Sequence, residues 1–284
     1  MPETAVTLAS LLADAGAKLG AAGVAQPARE ALRIWADLRR QAPGRAFLER
    51  GGPVPQDQLG AYLEAVDRRA SGEPLAYVTG WVGFRRLELR IDRRALIPRP
   101  ETEGLVELVL ARVPAGRIAD VGTGSGCIAL SLAAEGRYDA VVAVDRSVDA
   151  LALARLNRQV VGKRVAFVQG DLTAPLAAES VDALVSNPPY LTDAEYAALE
   201  PSVARWEPQA ALAAGPDGLA ATAGLLDDGR RVLRAGGWIA LEVDASRAER
   251  VAGLARRFGW DGVEIGVDLF GRERYLLAQR SERP

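Results

Sequence analysis

The sequence contains no histidine. Ser-His-Asp and Cys-His nucleophilic catalysis, histidine-bound zinc and imidazole acid–base steps are therefore excluded, because each needs that side chain. A single cysteine, Cys127, excludes an intramolecular disulfide and a thiolate metal cluster within one chain, and it fits a reducing, cytoplasmic setting. No metal site is expected. Lysine occurs only at Lys18 and Lys163, a composition bias towards arginine, and the net charge of −2 provides no global field for nucleic acid or another polyanion. The longest run without a charged residue, 121–134, has 14 residues, short of the ~20 that cross a bilayer. The start, Met1-Pro2-Glu3-Thr4, lacks the basic and apolar regions of a secretory signal, so neither export nor membrane insertion is expected.

What is present is ordinary globular material: 284 residues, 49% hydrophobic and 25% charged, enough for one large domain or two modest ones. Residues 1–73 read as helices separated by breakers. Leu8, Leu11, Leu12, Ala15 and Leu19 recur at helical spacing, a second helix follows Pro27, and a third spans 58–70 after Gly51-Gly52-Pro53. This segment carries nine basic and nine acidic residues and is electrically neutral.

Over 75–97 the period changes to two. Leu87, Leu89 and Ile91 alternate with Glu88, Arg90 and Asp92, which predicts a half-buried strand in a hairpin linker, assigned here to residues 74–98. Residues 99–284 alternate apolar strands with amphipathic helices, the pattern of an α/β fold whose parallel sheet is covered on both faces. The last strand follows its predecessor through a short turn at Asp268-Leu269-Phe270-Gly271-Arg272, which allows only antiparallel pairing.

The first of these strands ends in Asp120-Val121-Gly122-Thr123-Gly124-Ser125-Gly126 and runs directly into a helix. A dinucleotide fingerprint would need glycine where Cys127 stands, and no Gly-Lys-Ser/Thr of a phosphate loop follows. The G-x-G-x-G that remains is the pattern of S-adenosylmethionine binding in class I methyltransferases; a glycine turn with no ligand is the alternative. Asp145 ends the second strand about 20 residues further on, where a carboxylate can accept both ribose hydroxyls. Asp171 and Leu172 end the third, where Asp171 could accept from an adenine amine and Leu172 cover the ring, or the pair could form a plain turn.

The fourth strand ends in Ser186-Asn187-Pro188-Pro189-Tyr190. Consecutive prolines stiffen the backbone and remove its donors, so the Pro188 carbonyl and the Asn187 side-chain oxygen are two acceptors for one –NH2 group. Accepting both N–H bonds of a delocalised nitrogen selects it, enriches it in electron density and aims it. Tyr190 can stack on the substrate plane, and Asn187 can also touch the methionine end of the cofactor.

With Gly72-Glu73-Pro74-Leu75-Ala76-Tyr77, Leu96-Ile97-Pro98-Arg99-Pro100-Glu101-Thr102-Glu103, Arg205-Trp206-Glu207-Pro208 and Asp268-Leu269-Phe270-Gly271-Arg272-Glu273-Arg274, these motifs resemble the protein-(glutamine-N5) methyltransferases that modify class I peptide-chain release factors, over nearly the whole chain. The resemblance implies a helical N-terminal domain for substrate recognition and a Rossmann-like, seven-stranded methyltransferase domain. It implies S-adenosylmethionine as donor, and the glutamine of the release factor's Gly-Gly-Gln loop as acceptor, held by Asn187, Pro188, Pro189 and Tyr190. Leu241-Glu242-Val243-Asp244 departs from the family pattern, which leads us to expect a glycine near that strand end and leaves the adjoining loop open.

Glutamine methylation of a ribosomal protein, adenine-N6 methylation of nucleic acid and a silent binding module remain alternatives at this point. The net charge and the neutral N-terminal segment argue against direct nucleic-acid binding. A monomer is expected. Arg85, Arg86, Arg90, Arg93, Arg94 and Arg99, accompanied only by Glu88 and Asp92, read either as a solvated hairpin face or as a patch that docks the release factor.

Overall fold

Thr7 accepts a hydrogen bond from the Ser10 amide at 3.2 Å and so caps the first helix, α1 (Leu8–Ala21). The computed structural model describes residues 6–281, which leaves Met1-Pro2-Glu3-Thr4 outside the described residues. After α1 come α2 (Pro27–Leu38), α3 (Pro43–Leu48), α4 (Gln56–Ala70) and α5 (Leu75–Thr79). Leu11, Ala15, Leu19, Ile34, Trp35 and Tyr62 form their shared core. The Tyr62 ring meets Trp35 edge-on at 5.4 Å and its hydroxyl donates to the Ala31 carbonyl at 3.1 Å, so the buried phenol is satisfied.

Two helices here differ from the pattern read in sequence. α3 is too short to show periodicity. α5 lies within the stretch expected to be extended, because Pro74 precedes it and Gly80, at φ +77°, closes it.

By packing, the chain divides into two compact units, residues 1–81 with 200–206, and 82–199 with 207–284. The division falls inside β1 (Trp81–Phe84), which pairs with β2 (Leu87–Arg90) in the expected hairpin. Leu89 and Ile91 are buried, as the alternation requires.

The second unit continues through α6 (Pro100–Arg112), β3 (Ala115–Val121), α7 (Cys127–Glu135), β4 (Arg137–Asp145), α8 (Val148–Val161), β5 (Ala166–Gln169), β6 (Val181–Ser186) and α9 (Asp193–Ala197). The short α10 (Pro201–Ala204) belongs to the first unit; α11 (Ala220–Val232), β7 (Leu233–Glu242), α12 (Ala248–Arg257), β8 (Asp261–Val267) and β9 (Glu273–Gln279) complete the second.

Its sheet has the order β5-β4-β3-β6-β7-β9-β8. Neighbours from β5 to β7 are parallel, and β9 runs antiparallel to both β7 and β8. Successive residues feed opposite layers. Ala119, Leu184, Ile239 and Leu241 pack with Leu225, Leu226 and Val251 of α11 and α12, whereas Ile118, Ala183, Val185 and Ala240 pack with Leu105, Val109 and Ile128 of α6 and α7. Chain order reverses between β3 and β6, which opens a crevice at their carboxyl ends. There the Ser186 hydroxyl donates to the Val121 carbonyl at 2.6 Å, tying the two strand ends together. Among the described residues no helix is long and apolar enough to cross a membrane.

Candidate active site at the carboxyl edge of the sheet

The glycine loop is held from behind by a residue to which sequence reading gave no role. Asp120 is fully buried at the end of β3, and its Oδ2 accepts from the Thr123 hydroxyl at 2.6 Å and from the Ala129 amide at 3.1 Å. Gly126 has no side chain to cap α7, so Asp120 satisfies one of the amides that every helix N-terminus leaves open. Burial pushes its carboxyl up to about 7.

Asn157 of α8, also buried, supports the loop from another side. Its amide donates to the Ser125 and Arg90 carbonyls at 2.9 and 3.0 Å, and its oxygen accepts from the Arg90 amide at 2.7 Å. Asn157 belongs to no recognisable motif, and Asp120, although it opens the glycine-loop run, has no role assigned by it. Only their partners, brought from other elements, reveal them.

Gly122 and Gly124, at φ +74° and +54°, turn the backbone along the wall of a cavity of about 490 Å³. A side chain there would be strained in φ. Asp145, Asp171, Leu172, Asn187 and Pro189 line the same cavity, so the ends of β3, β4, β5 and β6 converge on it. Thr123, Ser125, Gly126, Pro188 and Tyr190 do not line it. Thr123 and Ser125 are buried within the loop, and Gly126, at φ +83°, immediately precedes α7.

Asp145 Oδ2 accepts from the Gly124 amide and Oδ1 from the Ser147 amide, both at 2.9 Å. A carboxylate has about four lone-pair positions, so acceptor capacity for a diol remains after those two bonds. Leu172 adopts φ +45°, an uncommon value for a branched side chain, and lies against Gly224 of α11, where a Cβ would come within 2.6 Å of it. Asp171 is exposed. The size and donor set suit a nucleoside carrying an amino-acid chain.

Asn187 is the residue whose surroundings say most. Its Nδ2 donates to Thr102 Oγ1 at 3.0 Å, and Thr102 Oγ1 donates to Glu242 Oε2 at 2.6 Å. Thr102 lies in the first turn of α6 and Glu242 at the end of β7; both are buried. Burial pushes the Glu242 carboxyl up to about 7, opposed by the Thr102 hydrogen bond and by the charges of Arg274 and Arg99. Burial also pushes the Tyr190 phenol up to about 12, which keeps it neutral near pH 7. The loop after Glu242 needs no glycine, because Asp244 takes an ordinary extended conformation at φ −71°, where it accepts from the Ser246 amide at 3.0 Å and pairs with Arg247 at 3.0 Å.

Residues 101–204 match the family described as Methyltransferase small domain, and residues 10–80 match the PrmC N-terminal domain. The release factor glutamine methyltransferase of Moorella thermoacetica is 41% identical over 98% of this chain and 100% of its own length. That of Deinococcus radiodurans is 41% identical over 96% and 99%. The chain belongs to the release factor glutamine methyltransferases. A crystal structure of a methyltransferase from Pyrococcus furiosus, 16% identical, superposes with a TM-score of 0.54 over 80% of this chain and all of that one, which supports the fold. Membership makes the protein an S-adenosylmethionine-dependent methyltransferase, the activity and cofactor expected from the glycine loop.

Two runs that read as separate landmarks of this family meet in space. Glu207, 2% exposed, accepts from Arg99 at 2.7 Å and from the Ile97 amide at 3.2 Å, which joins the segment before α6 to the one after α10. Tyr275 of β9 donates to the Glu101 carbonyl at 2.6 Å, and Gly104 is what leaves room for its ring.

The arginines between 85 and 99 need correction, because they are not one free basic face. Arg85 pairs with Glu135 and Glu107 at 2.7 and 2.8 Å, Arg94 with Asp92 at 2.6 Å, and Arg99 with Glu207. The counter-ions of Arg85 and Arg99 lie far away in sequence, outside the local count of acids, whereas that of Arg94 is the neighbouring Asp92.

Proposed function

We propose that the protein transfers a methyl group from S-adenosylmethionine to the side-chain amide N5 of the glutamine in the Gly-Gly-Gln loop of class I peptide-chain release factors, in support of translation termination. The observation that carries this reading is one cavity lined both by Gly122, Gly124 and Asp145 and by Asn187 and Pro189. Asp145 would hold the ribose hydroxyls and Asp171 and Leu172 the adenine, with the backbone at Gly122 and Gly124 available to the rest of the cofactor. When bound, S-adenosylmethionine supplies an electrophilic methyl group on a sulfonium.

Asn187 Oδ1 and the Pro188 carbonyl accept the two N–H bonds of the glutamine amide, with Pro189 and Tyr190 against its plane. Fixing the nitrogen in line with the methyl supplies several kcal/mol through orientation. The two acceptor oxygens also stabilise positive charge as it develops on nitrogen. A methylated amide nitrogen is strongly acidic and gives its extra proton to water, so a site without histidine suffices.

The helical unit, residues 1–73 as first delimited, is the recognition domain, since a lone glutamine side chain offers too little surface for selectivity. We place the protein in the cytoplasm with its substrate and read it as a monomer that binds neither nucleic acid nor membrane. The test is incubation with labelled S-adenosylmethionine and purified release factor, with a Gln→Ala loop variant as control. Label on the native factor and none on the variant is expected. Label on both, or on neither, overturns the reading.

A further inference from the structure

Thr102 Oγ1 carries a single proton. With Glu242 ionised, the short contact to its Oε2, 2.6 Å, uses that proton, because a carboxylate oxygen can only accept. The oxygen of Thr102 is then left with lone pairs alone, and the group it faces at 3.0 Å must donate. Asn187 consequently presents Nδ2 to Thr102 and turns Oδ1 away from it.

Without this chain the two ends of the Asn187 amide are nearly equivalent in shape. A half-turn would then bring an –NH2 group where an acceptor is needed. The three residues come from β7, α6 and the end of β6, and both inner members are buried, Thr102 at 2% and Glu242 at 1% exposure. Such burial shields the chain from water that could substitute for either bond.

We infer that Glu242 and Thr102 are positioning residues that fix the Asn187 amide with its oxygen towards the acceptor nitrogen. This rests on the glutamine-methylation reading for its consequence in turnover, but the orientation itself is a property of the protein alone.

The chain also has a polarity that protonation reverses. A protonated Glu242 can donate to Thr102, whose hydroxyl is then free to donate to Asn187 Oδ1, and the amide turns round. The groups that face Glu242 are Thr102, Glu101 and Arg99 at the start of α6, Arg274 and Tyr275 of β9, Tyr190 after β6 and Cys127 of α7. Of these, Arg274 and Arg99 favour the charged carboxylate and Glu101 opposes it, while burial opposes it most. The active form is the charged one, so turnover falls as pH drops through the Glu242 titration.

The experiment compares wild type with Thr102→Val, Thr102→Ser and Glu242→Gln, each checked for cofactor affinity by calorimetry. Thr102→Val is expected to lower kcat on release factor about ten- to a hundredfold, with KM and cofactor affinity changed less than about threefold. Thr102→Ser, which keeps the hydroxyl, restores kcat. The acid limb of the wild-type kcat profile is absent in Glu242→Gln, which cannot ionise.

In parallel, the Asn187 side-chain amide protons are followed by NMR on isotope-labelled protein, assigned by their loss in Asn187→Ala. They are protected in wild type and Thr102→Ser, and exposed in Thr102→Val. Protection unchanged in Thr102→Val, or an acid limb unchanged in Glu242→Gln, overturns the inference. A wild type that shows the protected amide yet methylates no release factor overturns the functional reading and leaves the positioning intact.

Discussion

Arg85 and Glu135 form an ion pair at 2.7 Å across 50 residues of sequence, with side chains only 13% and 10% exposed. Arg85 also donates to Glu107 at 2.8 Å and to the Glu103 carbonyl at 2.9 Å, so the hairpin tip is fastened to α6 and α7. Its backbone, at φ +51°, is held in the left-handed region by the two-residue turn with Arg86. Arg85→Glu would therefore place a third carboxylate beside Glu135 and Glu107 and is expected to cost about 3 kcal/mol of stability, read from the urea midpoint. Arg86, whose side chain is 84% exposed, should tolerate the same reversal within about 0.5 kcal/mol. Equal, small effects would mean that the Arg85 network contributes nothing to the fold.

For Asp145→Ala the expected result is weaker cofactor binding by about 1.5–3 kcal/mol in calorimetry, from loss of a charged acceptor. The variant also frees the Gly124 and Ser147 amides, so part of the loss comes from a looser glycine loop. Unchanged affinity would place the ribose elsewhere.

Asn187→Ala should abolish methyl transfer and leave S-adenosylmethionine affinity within roughly tenfold, a difference of about 1.4 kcal/mol. The reason is geometric. Nδ2 is already engaged by Thr102, so Oδ1 is the end available to a ligand in the cavity that Asn187 lines. Wild-type turnover in the variant would remove Asn187 from the reaction.

Asp120 sets a pH dependence of stability whose sign is opposite to that of a salt-bridged carboxylate. Its value rises from 3.8 unfolded to about 7 folded, chiefly through burial, and Glu242 rises from 4.5 to about 7 for the same reason. Between these limits the folded state holds more protons than the unfolded one, so stability declines as pH rises through the window. Glu135 and Asp92, lowered by Arg85 and Arg94, act in the other direction but only below their unfolded values of 4.5 and 3.8. Urea unfolding between about pH 5 and 7 should show this decline in wild type and roughly half of it in Asp120→Asn. An identical slope in the variant would assign the decline to other groups.

The strand and helix alternation, the glycine loop, the acidic ends of β4 and β5 and the Asn-Pro-Pro-Tyr peptide were legible because each is written locally, in periodicity or in contiguous residues. Uninterrupted apolar runs such as Ala183-Leu184-Val185 determine a sheet with two buried faces, since adjacent side chains must leave the strand on opposite sides. Histidine's absence, likewise, excluded whole classes of chemistry before any folding was considered.

The remainder was decided by tertiary structure. In sequence Asp120, Thr102 and Glu242 stand inside motif runs that give them no role of their own and Asn157 stands in none, while Arg85, Arg94 and Arg99 look like surface charge. What gives each its role is a partner and a degree of burial. Asn187 and Thr102 stand 85 residues apart, and Arg99 and Glu207 stand 108 apart. Hydrogen bonds and desolvation depend on distances of a few ångströms in space, which residue order does not encode; the sequence determined the kind of site, and the packing of β7 and α6 around Asn187 decided which way its amide points.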